Sequence, residues 1–267
     1  MSGGAVGVDT AGNLYFTTGN GTFDASSPIT PNNDYGDTVL KLAGGSNVTD
    51  WFTPFNQGGL NAGDVDLGSS GVVLLPDRTS APQHLLVSGG KQGVLYLLNR
   101  DGMGNYCNSC ARDTNAVQSF QAFSAFFGTP AFWQNARCFA GSGDNLRQFS
   151  FDASSGLFNS AAASQSAHVF PFPGATPAVS SQGTTHGIVW AIDSSQYGPP
   201  SALGSGPAVL HADDASNLGN ELWNSSQVSG KRDQAGPTVK FTVPTVANGR
   251  VYIGTRAEVD VYGLLPN

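Results

Sequence analysis

The stretch FTVPTVANGRVYIGT, residues 241–255, decides the fold. A short apolar segment, Val243-Pro244-Thr245-Val246, runs into the polar turn Asn248-Gly249. A second apolar segment, Arg250 to Thr255, follows and ends in small residues. The alternation through Val251-Tyr252-Ile253 fits a strand buried on both faces, as where neighbouring sheets stack. The pattern recurs upstream. Thr129-Pro130-Ala131-Phe132 precedes ARCFAG (136–141), and Thr176-Pro177-Ala178-Val179 precedes GIVWAI (187–192). Earlier copies of the second segment are GNLYFTT (12–18) and HLLVSGG (84–90).

A third strand is expected after each: VLKL from Val39, VLYLLNR from Val94, LRQFSFD from Leu146, AVLHADD from Ala208 and VDVYGLL from Val259. Less regular fourth segments include Thr49-Asp50-Trp51-Phe52 and Glu221-Leu222-Trp223. The second segments centre on Phe16, Val87, Phe139, Trp190 and Ile253, a mean step of about 59 residues. A bare four-stranded blade takes about 40 to 50. The excess falls in loops at 21–36, 56–70, 101–117 and 199–206, long enough to be functional or mobile. The expected architecture is therefore all-β: a single β-propeller domain over residues 1–267, built of four-stranded antiparallel blades. Four blades read as full and a fifth as three strands. Either the propeller is unusually small or it is partial, with blades missing upstream, and an open blade edge would invite self-association.

Composition agrees. The 267 residues include 35 Gly and 15 Pro, and only 12% are charged, which suits short strands and tight turns better than long amphipathic helices. The net charge of −7, with 12 basic residues against 19 acidic, argues against a nucleic-acid partner and an anionic membrane surface. No run reaches the roughly 20 apolar residues of a membrane span, and Met1-Ser2-Gly3-Gly4 does not open a signal peptide. Low charge and abundant Ser, Thr, Asn and Gly fit a secreted or periplasmic protein in mature or truncated form.

The repeats resemble those of the pyrroloquinoline-quinone (PQQ) type β-propeller, in particular its exported bacterial members. The carrying residues are GNLYFTTGNG (12–21), DTVLKL (37–42), SGGKQGVLYLLNRDG (88–102) and FTVPTVANGRVYIGT (241–255). In the alcohol dehydrogenases of that family, quinone and a metal ion sit on the axis of an eight-bladed propeller. The resemblance implies three site parts here. Asn20, in Thr18-Gly19-Asn20, matches a metal ligand. Asp64 and Asp66, in Gly63-Asp64-Val65-Asp66-Leu67-Gly68, stand where the catalytic base belongs, with Asp66 a second metal ligand. Lys91, in Lys91-Gln92-Gly93, matches the cation that contacts the quinone carbonyls. A divalent ion such as Ca²⁺ takes hard oxygen donors and polarises the quinone, while a carboxylate accepts the hydroxyl proton and a cation stabilises the developing negative oxygen. The family's stacking Trp and Glu metal ligand belong to blades that would precede this N-terminus, and the Trp that accompanies the dehydrogenase Asp is missing.

Other groupings are less specific. Asp9-Thr10-Ala11-Gly12-Asn13 reads as a hairpin turn rather than a calcium loop. Asp34, Asp37, Asp64 and Asp66 lie in two successive loops and can converge on one cation. Paired carboxylates can also serve a glycosidase, and Asn20, Asp66 and Asn145 a calcium-dependent propeller hydrolase. No GxSxG elbow or phosphate loop occurs, and His84, His168, His186 and His211 show no metal-ligand spacing. Cys107-x-x-Cys110 can be a redox pair, half a zinc site or a small loop disulfide. No second CxxC completes a zinc site, so a structural role is expected of it, with Cys138 standing alone. The aromatic run FQAFSAFFGTPAFW (120–133) reads as inter-blade core. Two functions remain: a scaffold that binds a small molecule or protein on its propeller face, or an enzyme with an axial metal. Convergence of Asn20, Asp64, Asp66 and Lys91 around one pocket favours the enzyme; their scatter favours the scaffold.

Overall fold

The structure, a computed structural model, describes residues 4–134, 137–141, 143–198 and 205–264, with 137–140 described by backbone alone. Most of the expected loop at 199–206, the extreme termini and the Cys138 side chain lie outside the described residues. Among the described residues the strands form five sheets, and each expected second segment is the second strand of its own sheet. The chain divides into two compact units, Met1–Pro130 with Ser150–Ser160, and Ala131–Phe149 with Ala161–Asn267.

In the first unit, β1 (Gly7–Val8), β2 (Leu14–Thr17), β3 (Val39–Ala43) and β4 (Asn47–Thr53) make one antiparallel sheet. The turn between β1 and β2 is organised by Asp9. Its carboxylate accepts the Ala11 and Asn13 backbone N–H groups at 3.0 and 2.9 Å, the Asn13 amide at 2.8 Å and the Tyr15 hydroxyl at 3.0 Å. Burial works to raise the Asp9 pKa, but these donors outweigh it and hold the carboxyl at about 2. The hairpin reading of residues 9–13 holds.

The loop after β4 has regular structure of its own. It contains the short helix α1 (Gln57–Ala62), pinned by buried Leu60, and a single 3₁₀ turn at Leu67–Ser69, pinned by buried Leu67. One apolar residue per turn leaves no periodicity to read in the sequence. The second sheet then forms from β5 (Val73–Leu74), β6 (Leu85–Ser88) and β7 (Val94–Asn99). The next long loop holds β8 (Asn105–Tyr106), which pairs in parallel with β4, and the Cys107–Cys110 disulfide. β9 (Gln118–Gln121) completes the second sheet. Tyr15, Val39 and Phe52 of the first sheet pack against Leu86, Tyr96 and Leu98 of the second, and β6 is buried at every position. Phe123 and Phe126 of the aromatic run are buried, as expected of core.

In the second unit, β10 (Ala131–Trp133), β11 (Arg137–Ala140) and β12 (Asp144–Asp152) lead the third sheet. The end of β12 turns into the hairpin strand β13 (Leu157–Phe158), which counts with the first unit. There the Gln118 side chain donates to the Phe158 carbonyl and accepts its N–H, both at 2.8 Å. β14 (Ser164–Phe170) returns along β12. The fourth sheet is β15 (Ala178–Gln182), β16 (Thr185–Asp193), β17 (Val209–Asp214) and β18 (Glu221–Asn224). Leu146 and Phe170 of the third sheet pack with Val189 and Ala191 of the fourth. The fifth sheet is β19 (Thr245–Ala247), β20 (Arg250–Gly254) and β21 (Val259–Tyr262). Asn248 and Gly249 both take positive φ, 51° and 70°, as a two-residue hairpin turn demands. Val251 and Ile253 are buried against Ile192 and Leu210 of the fourth sheet. The burial on both faces expected of the strand through Val251-Tyr252-Ile253 is met in full on one face only, since Tyr252 is half-buried, and in β21 Val259 and Val261 are 63% and 48% exposed.

This difference is measurable. Leu86→Ala, which empties a fully buried position between two sheets, is expected to cost about 2–5 kcal/mol in urea denaturation. Val261→Ala is expected to change stability by no more than about 0.5 kcal/mol.

Candidate functional site

The first unit brings Asn20, Asp64, Asp66 and Lys91 together, and the local chain path explains how. The β2–β3 ladder continues past its strand ends: the Thr18 N–H donates to the Thr38 carbonyl and the Asp37 N–H to the Gly19 carbonyl, both at 2.9 Å. Asp37 sits at φ 51°, a left-handed turn that Asp tolerates better than most residues. Beneath this strand end lies the loop after α1. Gly68 approaches so closely that a Cβ there would stand 2.4 Å from the Gly19 nitrogen. Only glycine permits that contact, and it lays Asp66 against Asn20. On the other side the Lys91 N–H donates to the Asp66 carbonyl at 2.9 Å.

The side chains then interlock. Asp66 Oδ1 accepts the Asn20 N–H at 2.9 Å, and Asp66 Oδ2 lies 2.5 Å from Lys91 Nζ. Lys91 Nζ also donates to Asp64 Oδ2 at 3.0 Å and to the Asp64 carbonyl at 2.9 Å. The Asn20 side-chain amide donates to Asp64 Oδ1 at 3.0 Å. Asn61 Oδ1, which the sequence did not single out, accepts the Gly21 N–H at 3.1 Å. Asp37 joins from below: its Oδ1 accepts the Leu67 N–H at 3.0 Å, while Oδ2 is buried without a hydrogen-bond partner. Asp34 does not take part in these bonds. Its backbone pairs with Asp24 in the loop at 21–36. Asn145, in the second unit, donates to the Ser166 and His168 carbonyls at 2.8 and 3.2 Å. The cluster opens to solvent, with the Asp64 side chain 81% exposed and those of Asp66 and Lys91 about one-quarter exposed.

Burial tends to raise the Asp66 pKa, but the Lys91 ammonium and the Asn20 N–H outweigh it and hold the carboxyl below its usual range. Burial opposes the charge on Lys91, and its bonds to Asp66 and Asp64 overcome this and raise its pKa. Asp37 is driven up by burial and by the Asp66 charge, against the pull of the Leu67 N–H and Lys91.

Asp37, Asp64, Asp66 and Asn20 are hard oxygen donors of the kind calcium takes, and the orphaned Asp37 Oδ2 is a donor without a partner. The cation among them is nevertheless the chain's own. A divalent ion held by Asp64 and Asp66 would lie beside an ammonium that those carboxylates already hold at 2.5–3.0 Å. For the same reason Lys91 does not present a free ammonium to a quinone carbonyl. As arranged, the residues do not fit calcium and quinone.

Sequence spacing also missed a grouping in the second unit. His168 and His211, which show no metal-ligand spacing in the sequence, stack on each other beside Asp193. They are far apart in the chain, and only the pairing of β16 with β17 and the packing of β14 bring them together. His84 and His186 form local hydrogen bonds, to Asp101 and Thr185.

No family model matches the chain, and no curated protein matches it. Solved structures do. The quinohemoprotein alcohol dehydrogenase from Comamonas testosteroni superposes with a TM-score of 0.51 at 14% identity, covering 94% of this chain and 44% of its own. The fold is that of a β-propeller, built of antiparallel sheets of mostly four strands. The Dos1 propeller matches more loosely, with a TM-score of 0.40 at 12% identity over 82% of this chain and 48% of its own. The chain thus spans less than half the length of either. No helix among the described residues is long and apolar enough to cross a membrane.

Two outcomes are expected. Gly68→Ala, whose Cβ meets backbone at 2.4 Å, is expected to cost about 1–3 kcal/mol in denaturation, because the strand end and the Asp66 loop must separate. The lowered Asp66 pKa means that its stabilisation is present above the unfolded carboxyl pKa of about 3.9 and is lost as pH falls through the folded value. Asp66→Asn is therefore expected to be less stable than wild type at neutral pH and to converge with it in acid, read by denaturation at a series of pH values.

Proposed function

We propose that this chain is a PQQ-like propeller acting in binding or scaffolding, with a vestigial quinoprotein site on its first unit. The observation that carries this reading is the Lys91 ammonium, held by Asp66 at 2.5 Å and Asp64 at 3.0 Å. Asn20, Asp64, Asp66 and Lys91 do converge, the outcome expected of the enzyme, but the groups that would serve as quinone contact, base and metal ligand are bonded to one another, and that supports the scaffold instead. What they offer outward is an exposed polar surface, in which Asp64 and Asn20 can hydrogen-bond a small polar molecule or a protein partner. Export from the cell fits the Cys107–Cys110 disulfide, since disulfides persist in oxidising compartments.

A second reading rests on a different observation. The buried, unpartnered Asp37 Oδ2 beside the cluster favours a calcium-type centre, hence a dehydrogenase or a metal-dependent hydrolase or glycosidase, if Lys91 swings away. One experiment separates the two. Calcium and PQQ are titrated into the untagged chain, followed by calorimetry, the visible spectrum and dye-linked alcohol oxidation. Wild type is expected to give no quinone spectrum and no turnover, and Lys91→Met to gain calcium binding as its carboxylates are freed. Quinone-dependent oxidation by wild type that Asp64→Asn abolishes overturns the scaffold reading. So does ester, phosphotriester or glycoside hydrolysis that a chelator stops.

A further inference from the structure

The second unit carries a polar cluster unlike the rest of its core. His168 lies near the end of β14, Asp193 ends β16, and His211 stands in the middle of β17. One ligand-type atom from each lies within 4.8 Å of the others, and among the described residues this is the one such grouping of histidine, cysteine and acidic side chains. His168 Nε2 donates to Asp193 Oδ2 at 2.9 Å. The two imidazoles stack with centroids 4.2 Å apart and 21° between their planes, and the Phe170 ring packs edge-on to both. Asp193 is itself held, its Oδ1 accepting the Ser195 N–H at 2.8 Å.

His211 supplies the second, independent observation. The residue is 5% exposed; its Nδ1 contacts Glu221 Oε1 at 2.6 Å, and its Nε2 is buried with no hydrogen-bond partner. An imidazole that donates its Nδ1 proton to a carboxylate carries its lone pair on Nε2. A buried acceptor left unsatisfied is destabilising, because it has lost its water without gaining a partner. A carboxylate behind the far nitrogen is also the arrangement that orients metal-ligating histidines and strengthens them as donors.

We propose that His168, Asp193 and His211 bind a divalent transition-metal ion of the zinc class, with Glu221 orienting His211 from behind. Two imidazoles and one carboxylate suit zinc and its neighbours, whereas calcium takes oxygen donors. The ion replaces the proton between His168 Nε2 and Asp193 Oδ2, and that proton leaves to solvent. An imidazole lone pair lies in the plane of its ring, so two near-parallel rings cannot both point at one ion. His168 therefore tilts out of the stack, which its 36% exposed side chain permits, while buried His211 stays fixed. Three protein ligands with His168 at the surface leave a fourth, solvent-facing position for water or a small anionic ligand.

The test uses the full, untagged chain, stripped with chelator and titrated with Zn²⁺ by calorimetry and with Co²⁺ by visible absorption. One Zn²⁺ per chain, proton release on binding, a raised Tm and Co²⁺ ligand-field bands are expected. His168→Ala is the informative variant, because its loss leaves the buried core in place. It and Asp193→Asn are each expected to weaken Zn²⁺ binding at least tenfold, and Glu221→Gln by about 10-fold or more. Absence of saturable Zn²⁺ binding, or binding that His168→Ala and Asp193→Asn leave unchanged, overturns the proposal.

Discussion

A short antiparallel sheet that is apolar on both faces cannot stand alone in water. β6 is buried at all four of its positions, so the sheet that contains it needs cover on each side. The chain answers by repetition. Tyr15, Val39 and Phe52 close one face of the second sheet, and Ile192 and Leu210 of the fourth meet Val251 and Ile253 of the fifth. At about 25 cal/mol per Å² of apolar surface removed from water, these layers are the main stabilising term. Most other features follow from the need to join such sheets. The turns between neighbouring strands are tight, and the connections that remain are long and polar.

Those long connections carry the chemistry. In the first unit, three carboxylates gather where a strand end, a loop and a turn are forced into close approach. So many negative charges in a half-buried place require compensation. Lys91 provides part of it from within the chain by pairing with Asp64 and Asp66, which is why a constellation resembling a cofactor site has its cation position already taken. In the second unit the balance is reversed. Glu221 fixes His211 through one ring nitrogen and leaves the other buried without a partner. In the first cluster Lys91 occupies Asp64 and Asp66 and leaves one buried Asp37 oxygen without a partner, while the second retains an imidazole nitrogen directed at nothing the chain supplies.

The strands were legible in the sequence because each is a short apolar run beside turn residues, and the five copies reinforce one another. Asn248-Gly249, for instance, marks a hairpin whose φ values few other pairs adopt. The convergence of Asn20, Asp64, Asp66 and Lys91 was legible only through the family resemblance, since the four residues span two repeats with no fixed spacing. α1 and β8 were not legible: one buried Leu60 or a two-residue pairing leaves no periodic trace. His168 and His211, 43 residues apart in different sheets, were equally hidden.

The sequence by itself determined the repeat, the antiparallel blades and the places where loops interrupt them, because strand and turn formation depend on near neighbours. Only the tertiary structure decided what the polar residues do. Lys91 is consumed by Asp64 and Asp66 because Gly68 lets two backbones touch, and His211 faces His168 because adjacent sheets pack. Such contacts depend on distances across the fold, and those distances are set by side chains packed between sheets, far along the chain from the residues they bring together.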